Sequence, residues 1–198
     1  MVYRDEELVQ NYLRRAVNYI KSNKSLEEVF ELILINGELW QHSVNVAKVS
    51  TQIGIYFRFP EEDILNLAIG GLLHDIGKLK IPNSILYKPS RLSAEEFKVI
   101  QTHCIEGTKL VACEGISGTV FDIVLHHHEK LDGTGYPDNL KEINICTQVV
   151  TVADIFSALS EHRCYHDGMS VNGAFQFIKE FTNINKKFVA ILPEIILD

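Results

Sequence analysis

Apolar residues recur along this chain with the three-then-four spacing of α-helices, and no stretch of useful length alternates as a β-strand would. One helical stripe is formed by Leu39, His42, Val46, Val49 and Ile53. The segment 149–159 is apolar at almost every position, which predicts a helix buried in the middle of the fold. The pattern therefore predicts an all-α protein built as a helical bundle.

The length and composition of the chain predict one compact unit. Its 198 residues, 46% of them hydrophobic, are enough to bury one sizeable core, and no linker or internal repeat divides them. No apolar run approaches the ~20 residues that a membrane helix needs, and the first residues lack the apolar core of a signal peptide. We therefore expect a cytoplasmic protein that does not associate with membranes.

Charge and cysteine content narrow the function further. The net charge of -7 argues against binding to a DNA or RNA polymer, although it allows a small anionic ligand in a local cationic pocket. The four cysteines, at positions 104, 113, 146 and 164, contain no CxxC pair, so neither a disulfide framework nor a zinc ribbon is indicated. We expect reduced, mostly structural cysteines. Any phosphate site must therefore bring its own metal ions or basic groups.

Local signals predict several helix boundaries. A helix is expected over about 60–73, because the proline at its start is tolerated in a first turn. Ser93 and Glu96 have the spacing of a capping box, which opens a helix that we expect to carry His103. A further short helix is expected to contain His127.

Ionisable residues stand at helix positions where a hydrophobic residue would be usual. Burying one unpaired ionisable group costs several kcal/mol, so a core holds many of them only if something compensates their charge, and metal ions do so directly. Imidazole and carboxylate ligands together suit Zn, Mn or Fe. The set is Glu38, His42, His74, Asp75, His103, His127, His128 and Asp154.

The spacing within this set favours more than one metal ion. Glu38 and His42 are four residues apart and so share one helix face. Neighbouring residues on a helix point roughly 100° apart, so His74 and Asp75 can reach two different metals. Lys78 adds a cation beside them that could hold a phosphate.

Four residues of this set also have a structural interpretation. Asp154 could be a buried aspartate capped by the hydroxyls of its own helix, and His42 a core histidine with satisfied hydrogen bonds. His103 could be solvated, and Glu38 could be an ordinary surface glutamate. The residues taken singly leave these alternatives open.

Four separated segments of the chain form a recognisable series. They are His74-Asp75-Ile76-Gly77-Lys78, His127-His128-Glu129, Asp132-Gly133-Thr134-Gly135-Tyr136-Pro137 and Val152-Ala153-Asp154. Together these motifs resemble the HD-GYP family, a subgroup of the HD phosphohydrolase superfamily. Their order and approximate spacing agree with that family from about Glu38 to Tyr165.

The resemblance implies an HD-domain helical bundle with a centre of two or three divalent metal ions, usually iron and sometimes manganese. Residues 1–36 would be N-terminal packing helices and residues 37–198 the catalytic domain, within one compact unit. A hydroxide bridging the metals would hydrolyse cyclic di-GMP to pGpG, with further hydrolysis to GMP left open. Asp75 would bridge two metals, and Glu38 would be the extra ligand of a third. The implied metal ligands are Glu38, His42, His74, Asp75, His103, His127, His128 and Asp154.

The resemblance also implies catalytic and substrate contacts. Asp75 and Lys78 would be the catalytic residues, with Lys78 on the scissile phosphate. Tyr136 would stack on a guanine or, alternatively, pack on the domain as part of a structural turn. The implied substrate contacts are Lys78, Lys130, Gly135, Tyr136, Pro137, Arg163 and His166.

Several positions depart from the family pattern. Ser157 stands where a second aspartate is usual, and Lys130, Cys164 and His166 replace an arginine, a proline and a basic residue. With a histidine in place of the last basic residue, the substrate site is less cationic at neutral pH than expected. Three functions follow: a cyclic di-GMP phosphodiesterase, a catalytically weak cyclic-dinucleotide receptor or docking module with regulatory or signalling partners, and an HD phosphohydrolase acting on another nucleotide.

Overall fold

The protein is seen in a computed structural model that describes residues 6–113, 115–161 and 168–196. The described residues form helices joined by turns, with no β-strand, which confirms the predicted all-α class. In chain order the helices are α1 (Glu6–Ser22), α2 (Lys24–Ile35), α3 (Gly37–Tyr56), α4 (Glu61–Leu73), a 3-10 helix (Ile76–Lys80), α5 (Asn83–Leu86), α6 (Ala94–Gln101), α7 (His103–Val111), α8 (Gly118–His126), α9 (Ile145–Ser160), α10 (Val171–Ile178), α11 (Lys186–Ala190) and α12 (Leu192–Ile196).

The predicted capping box opens α6, but the prediction that this helix carries His103 is wrong. The Ser93 hydroxyl accepts from the Glu96 amide, and the Glu96 carboxylate accepts from the Ser93 amide. The Thr102 hydroxyl then donates to the Val99 carbonyl at 2.7 Å. Side chains thus take backbone acceptors that a continuous helix would need, and α6 ends at Gln101. His103 begins the next helix, α7.

Helices α3 and α4 lie between two hydrophobic cores. Their residues alternate between the two: Ala47 and Ala68 pack with α1, α2, α7 and α8, whereas Val46 and Leu67 pack with α9 to α12. The two helices cross closely at Gly71, where a Cβ atom would lie 2.5 Å from the Cα of Ala47. The C-terminal end of α4 is thereby fixed deep between the cores.

The N-terminal helices belong to the first of these cores. Tyr12 and Ile20 of α1 and Phe30 of α2 are buried in the same cluster as Leu72 of α4. The chain therefore folds as a single domain, as predicted, while the division at residue 36 stays a prediction. Within the described ranges, no helix combines the length and apolar character needed to cross a membrane.

Candidate metal centre

The side chain of Asp75 lies where α4 ends and the 3-10 helix begins, and it is almost completely buried. One carboxylate oxygen, Oδ2, is 3.4 Å from His74 Nε2 and 3.6 Å from His42 Nε2. The other oxygen, Oδ1, is 3.4 Å from His103 Nε2 and 3.8 Å from His127 Nε2. The two oxygens of one carboxylate thus face two different sets of imidazole nitrogens.

These contacts define two groups that could each hold a metal ion. In each group the ligand atoms lie within 4.8 Å of one another, and Asp75 belongs to both. We call them the α3 side, which is His42, His74 and Asp75, and the α7–α8 side, which is Asp75, His103, His127 and His128. A carboxylate shared in this way is suited to bridge two cations.

Asp154, in the middle of α9, has one carboxylate oxygen near each of the two sides. Its Oδ1 is 3.0 Å from His42 Nε2 and 3.9 Å from His74 Nε2. Its Oδ2 is 4.0 Å from His128 Nδ1. The aspartate therefore lies beside three candidate ligand histidines and is not merely capped by hydroxyls of its own helix.

Backbone carbonyls at helix ends orient three of the histidines. The Nδ1–H groups of His74 and His103 donate to the carbonyls of Gly71 at 2.8 Å and Ile100 at 2.7 Å. His127 Nδ1 lies 3.1 Å from the carbonyls of both Ile123 and Val124. These carbonyls belong to the last turns of α4, α6 and α8, where intrahelical donors run out. Because a carbonyl can only accept, Nδ1 carries the proton and each Nε2 is left as a lone-pair donor facing the centre.

His42 is oriented differently because it lies inside α3. Its Nδ1 is 2.9 Å from Oε2 of Glu161, and the other oxygen of Glu161 accepts from Asn45 Nδ2 at 2.7 Å. Glu161 is the cap residue that directly follows α9. A carboxylate thus performs for His42 the role that main-chain carbonyls perform for the other three rings.

Buried atoms without normal partners show that a cation fits here. Among the described residues, His74 Nε2 and Asp75 Oδ1 are buried and make no hydrogen bond of normal geometry. The Nε2 atoms of His103 and His127 face each other at 3.3 Å, and neither can donate while Nδ1 holds the proton. Lone pairs converging on one point need a positive charge between them. The nitrogen and oxygen donors fit divalent iron, manganese or zinc.

Except at His42, the shifted pKa values of these groups favour ligand forms near neutral pH. Burial lowers the pKa of His103 to about 4 and lowers that of His128 well below its usual range. Burial would raise the pKa of Asp75, but Lys78 and His74 hold it well below the usual value. Burial also opposes protonation of His42, yet its hydrogen bonds to Asp154 and Glu161 raise its pKa to about 9. In the absence of metal, the α3 side therefore binds a proton that the α7–α8 side does not.

Lys78 and Glu38 occupy contrasting positions. Lys78 Nζ lies 2.5 Å from Asp75 Oδ2, and its side chain is 21% exposed, so the cation lies at the boundary between the centre and solvent. Glu38 is exposed in the first turn of α3, where the helix dipole stabilises a carboxylate. It belongs to neither ligand group. Sharing a helix face with His42 does not bring Glu38 to the same depth.

The loop after α8 packs directly on the centre. The ring of Tyr136 lies 4.7 Å from that of His128 with an interplanar angle of 31°. Gly135 is needed here, since a Cβ atom would lie 2.4 Å from the Cα of Glu129. The buried Glu129 carboxylate accepts from the backbone amides of Asp138 at 2.6 Å and Leu140 at 3.0 Å. The tyrosine thus packs on a candidate ligand histidine, and Glu129 fixes the loop that carries it.

The remaining predicted substrate residues lie in the loop after α8 and in the segment after α9. Pro137 follows Tyr136 through a cis peptide bond, and both are half-buried at the rim of the centre. Lys130 is half-buried too, and burial lowers its pKa. Arg163, Cys164 and His166 lie outside the described residues.

Sequence reasoning missed the roles of Glu161 and Glu129. Glu161 was visible as the last member of the polar stripe on α9 that begins with Thr151 and Asp154. Its partner His42 is 119 residues away, so only the packing of α3 on α9 reveals the contact. Glu129 was visible as an acidic residue directly after two histidines.

Comparison with known proteins agrees with this geometry. The model of the HD domain family matches residues 7–183. The chain belongs to the HD domain family, which confirms the resemblance drawn from the motifs and the divalent-metal character of the site.

Curated relatives include cyclic-dinucleotide phosphodiesterases. The chain is 34% identical to the cyclic di-GMP phosphodiesterase PA4108 of Pseudomonas aeruginosa, over 72% of this chain and 35% of that protein. It is 37% identical to the 3'3'-cGAMP-specific phosphodiesterase 3 of Vibrio cholerae, over 70% of this chain and 31% of that protein. The chain thus spans about a third of the length of these relatives.

Solved structures share the fold. The HDG"Y"P protein Bd1817 of Bdellovibrio bacteriovorus superposes with a TM-score of 0.68 at 21% identity, covering 96% of this chain and 65% of that one. The HD domain of the L. monocytogenes phosphodiesterase PgpH, in complex with cyclic-di-AMP, gives 0.60 at 17% identity, covering 83% and 91%.

Proposed function

We propose that this chain is a metal-dependent phosphodiesterase that hydrolyses cyclic di-GMP to pGpG, with GMP as the product of a second cleavage. The observation that carries the proposal is the carboxylate of Asp75, whose two oxygens face the nitrogens of His42 and His74 on one side and of His103 and His127 on the other. Such a pair of adjacent sites is typical of two-metal phosphoester hydrolysis.

The residues of the chain hold and orient the ions. His42, His74 and Asp154 would bind on the α3 side, and His103, His127 and His128 on the α7–α8 side, with Asp75 shared between them. Two divalent ions held there would supply an acidified water as the nucleophile and would offset charge on the phosphate oxygens. We take iron as the native metal and manganese as its alternative, and a third ion at Glu38 would require that exposed side chain to turn inward.

Lys78 would contact the scissile phosphate. Its ammonium group is fixed beside Asp75 and lies at the solvent boundary, so an incoming phosphate can reach it without displacing a helix. Lys130, Gly135, Tyr136 and Pro137 would line the substrate cleft. Arg163 and His166 would add positive charge, as the sequence resemblance implies.

A second candidate substrate is 3'3'-cGAMP. The relative in Vibrio cholerae that is 37% identical to this chain is named for that compound. Both substrates are cyclic dinucleotides with the same pair of phosphodiester bonds, and the metal centre acts on the bond and not on the base. The bases must therefore be distinguished by the rim of the site, where Lys130 replaces an arginine.

The proposal is tested with protein purified without oxygen, loaded with Fe²⁺ or Mn²⁺, and incubated with cyclic di-GMP, 3'3'-cGAMP and cyclic di-AMP. We expect linear dinucleotide to form from cyclic di-GMP fastest. Metal-loaded protein that binds cyclic di-GMP without cleaving it would make the chain a receptor and would refute the proposal. Faster cleavage of another nucleotide would correct the substrate.

A further inference from the structure

Glu161 has geometry that the proposed reaction does not by itself explain. Its side chain is 13% exposed, and both carboxylate oxygens have partners: Oε2 contacts His42 Nδ1 at 2.9 Å, and Oε1 accepts from Asn45 Nδ2 at 2.7 Å. Asn45 in turn accepts from Gln41 Nε2 at 3.1 Å. The carboxylate is therefore held in one place by side chains of α3, one turn apart.

His42 needs a partner that its own helix cannot provide. It lies in the second turn of α3, which continues to Tyr56, so the carbonyls around it accept from amides of the same helix. His74, His103 and His127 stand at helix ends and use carbonyls there. An acceptor for the Nδ1–H of His42 must come from another element, and α9 packs directly against α3.

The acceptor for His42 Nδ1–H is Glu161, at the C-terminal end of α9, and not Ser157 one turn earlier. Ser157, four residues earlier on the same helix, is buried, and its hydroxyl has no hydrogen-bond partner among the described residues. A serine hydroxyl is also uncharged, so it could not replace a carboxylate beside the ring. The Glu161 amide donates to the Ser157 carbonyl at 2.9 Å, which fixes Glu161 at the end of the helix.

We infer that Glu161 is a positioning residue for the metal on the α3 side. It accepts a hydrogen bond from the Nδ1–H of His42, fixes the ring, and leaves Nε2 as the metal ligand. It does not contact the metal itself. Partners of this kind affect metal affinity by about 10- to 100-fold. The inference rests on the metal centre of the proposed function and adds the assignment of one carboxylate to one of its two metal positions.

The test measures metal binding and needs no turnover. Metal-free protein is titrated with Mn²⁺, and bound ions are counted by calorimetry and by the electron paramagnetic resonance signal, which differs between isolated and paired Mn²⁺. The variants are Glu161→Ala, Glu161→Gln and Glu161→Asp. The control is Glu142→Ala, which removes an exposed carboxylate near the other end of α9.

We expect Glu161→Ala to bind one Mn²⁺ as the wild type does and the second about 10- to 100-fold more weakly, so that the signal of paired Mn²⁺ is lost. Glu161→Gln keeps an acceptor at the same reach and retains most of the second affinity. Glu161→Asp keeps the charge but is one methylene shorter, and it loses more affinity than Glu161→Gln. Glu142→Ala behaves as the wild type.

Two results would overturn the inference. One is Glu161→Ala with both affinities intact; the other is equal loss of both ions in all three Glu161 variants, which would indicate a general role in folding. The comparison between Gln and Asp remains decisive if the alanine variant does not fold. A wild type that binds no Mn²⁺, Fe²⁺ or Zn²⁺ would instead refute the metal centre and with it the proposed function.

Discussion

His42 on the α3 side of the centre and His103 and His127 on the α7–α8 side are oriented by different means. On the α7–α8 side, His103 and His127 donate to backbone carbonyls, so their orientation follows from where α6 and α8 end. On the α3 side, His42 depends on the carboxylate of Glu161. A single side-chain substitution can therefore release His42, whereas the rings of His103 and His127 move only if a helix moves.

The largest effect is expected where the two sides meet. Asp75→Asn keeps the size of the side chain but replaces one carboxylate oxygen by an NH2 group, which cannot bind a metal. We expect loss of metal from both sides and turnover at background level, measured as metal per chain and as linear dinucleotide formed. A variant that retained one ion at wild-type affinity would show that Asp75 belongs to one side alone.

Gly77→Ala should affect the α7–α8 side selectively. A Cβ atom there would lie 1.9 Å from the carbonyl oxygen of His103, so α7 must move away from the 3-10 helix. We expect a loss of about 1–3 kcal/mol in the free energy of unfolding, as for other overpacked sites. We also expect weakened metal binding on the α7–α8 side, with His42 and His74 still binding one ion.

The matched control for this variant is Gly118→Ala, in α8, where nothing lies within 4 Å of the added methyl group. Denaturant titration and Mn²⁺ binding are measured for both proteins. Equal weakening of both metal positions in Gly77→Ala would contradict the distinction between the two sides.

Lys78→Ala should leave both sides in place while slowing the reaction. If Lys78 contacts the scissile phosphate, its loss removes a charge that acts on the transition state, an effect of roughly 10²-fold on turnover for a comparable electrostatic contact. Lys80→Ala, on the same 3-10 helix and exposed, should react as the wild type does. Metal content measured beside turnover decides the point, because a loss of metal would mean that Lys78 supports Asp75 instead.

The smallest effect is expected from the loop. Glu129→Ala leaves the amides of Asp138 and Leu140 without their acceptor, which costs about 1–3 kcal/mol if the two groups stay buried. We expect a raised KM, because Tyr136 and Pro137 are less well fixed, and unchanged metal content on both sides. Glu129→Gln, which keeps one acceptor oxygen, should lie between this variant and the wild type.

Helical periodicity predicted the fold class, and motif order singled out histidines that the structure brings close together. They could not predict that α6 would end before His103, because the competition between the Thr102 hydroxyl and the backbone depends on local geometry. Nor could they separate Glu38 from His42. Two residues on one helix face share a direction, but the depth of each depends on what packs beside that turn.

The contact of Glu161 was hidden for a different reason. The sequence places Glu161 on the polar stripe that follows α9, but the stripe does not predict which helix packs against it. The rotation of α3 against α9 decides that His42 and Asn45 meet this carboxylate. Tyr136 is a similar case, since its ring could face a ligand or the domain until the packing on His128 is known.

The ligands of the α3 side come from parts of the chain that are far apart, with His42 and Asp154 separated by 112 residues. An ion held between them acts as a reversible crosslink that the unfolded chain cannot form. By mass action such a ligand adds RT ln(1 + [L]/Kd) to stability, which is about 2.7 kcal/mol at a hundredfold excess over Kd. The supply of free metal would therefore set the melting temperature of the protein and its lifetime against proteolysis.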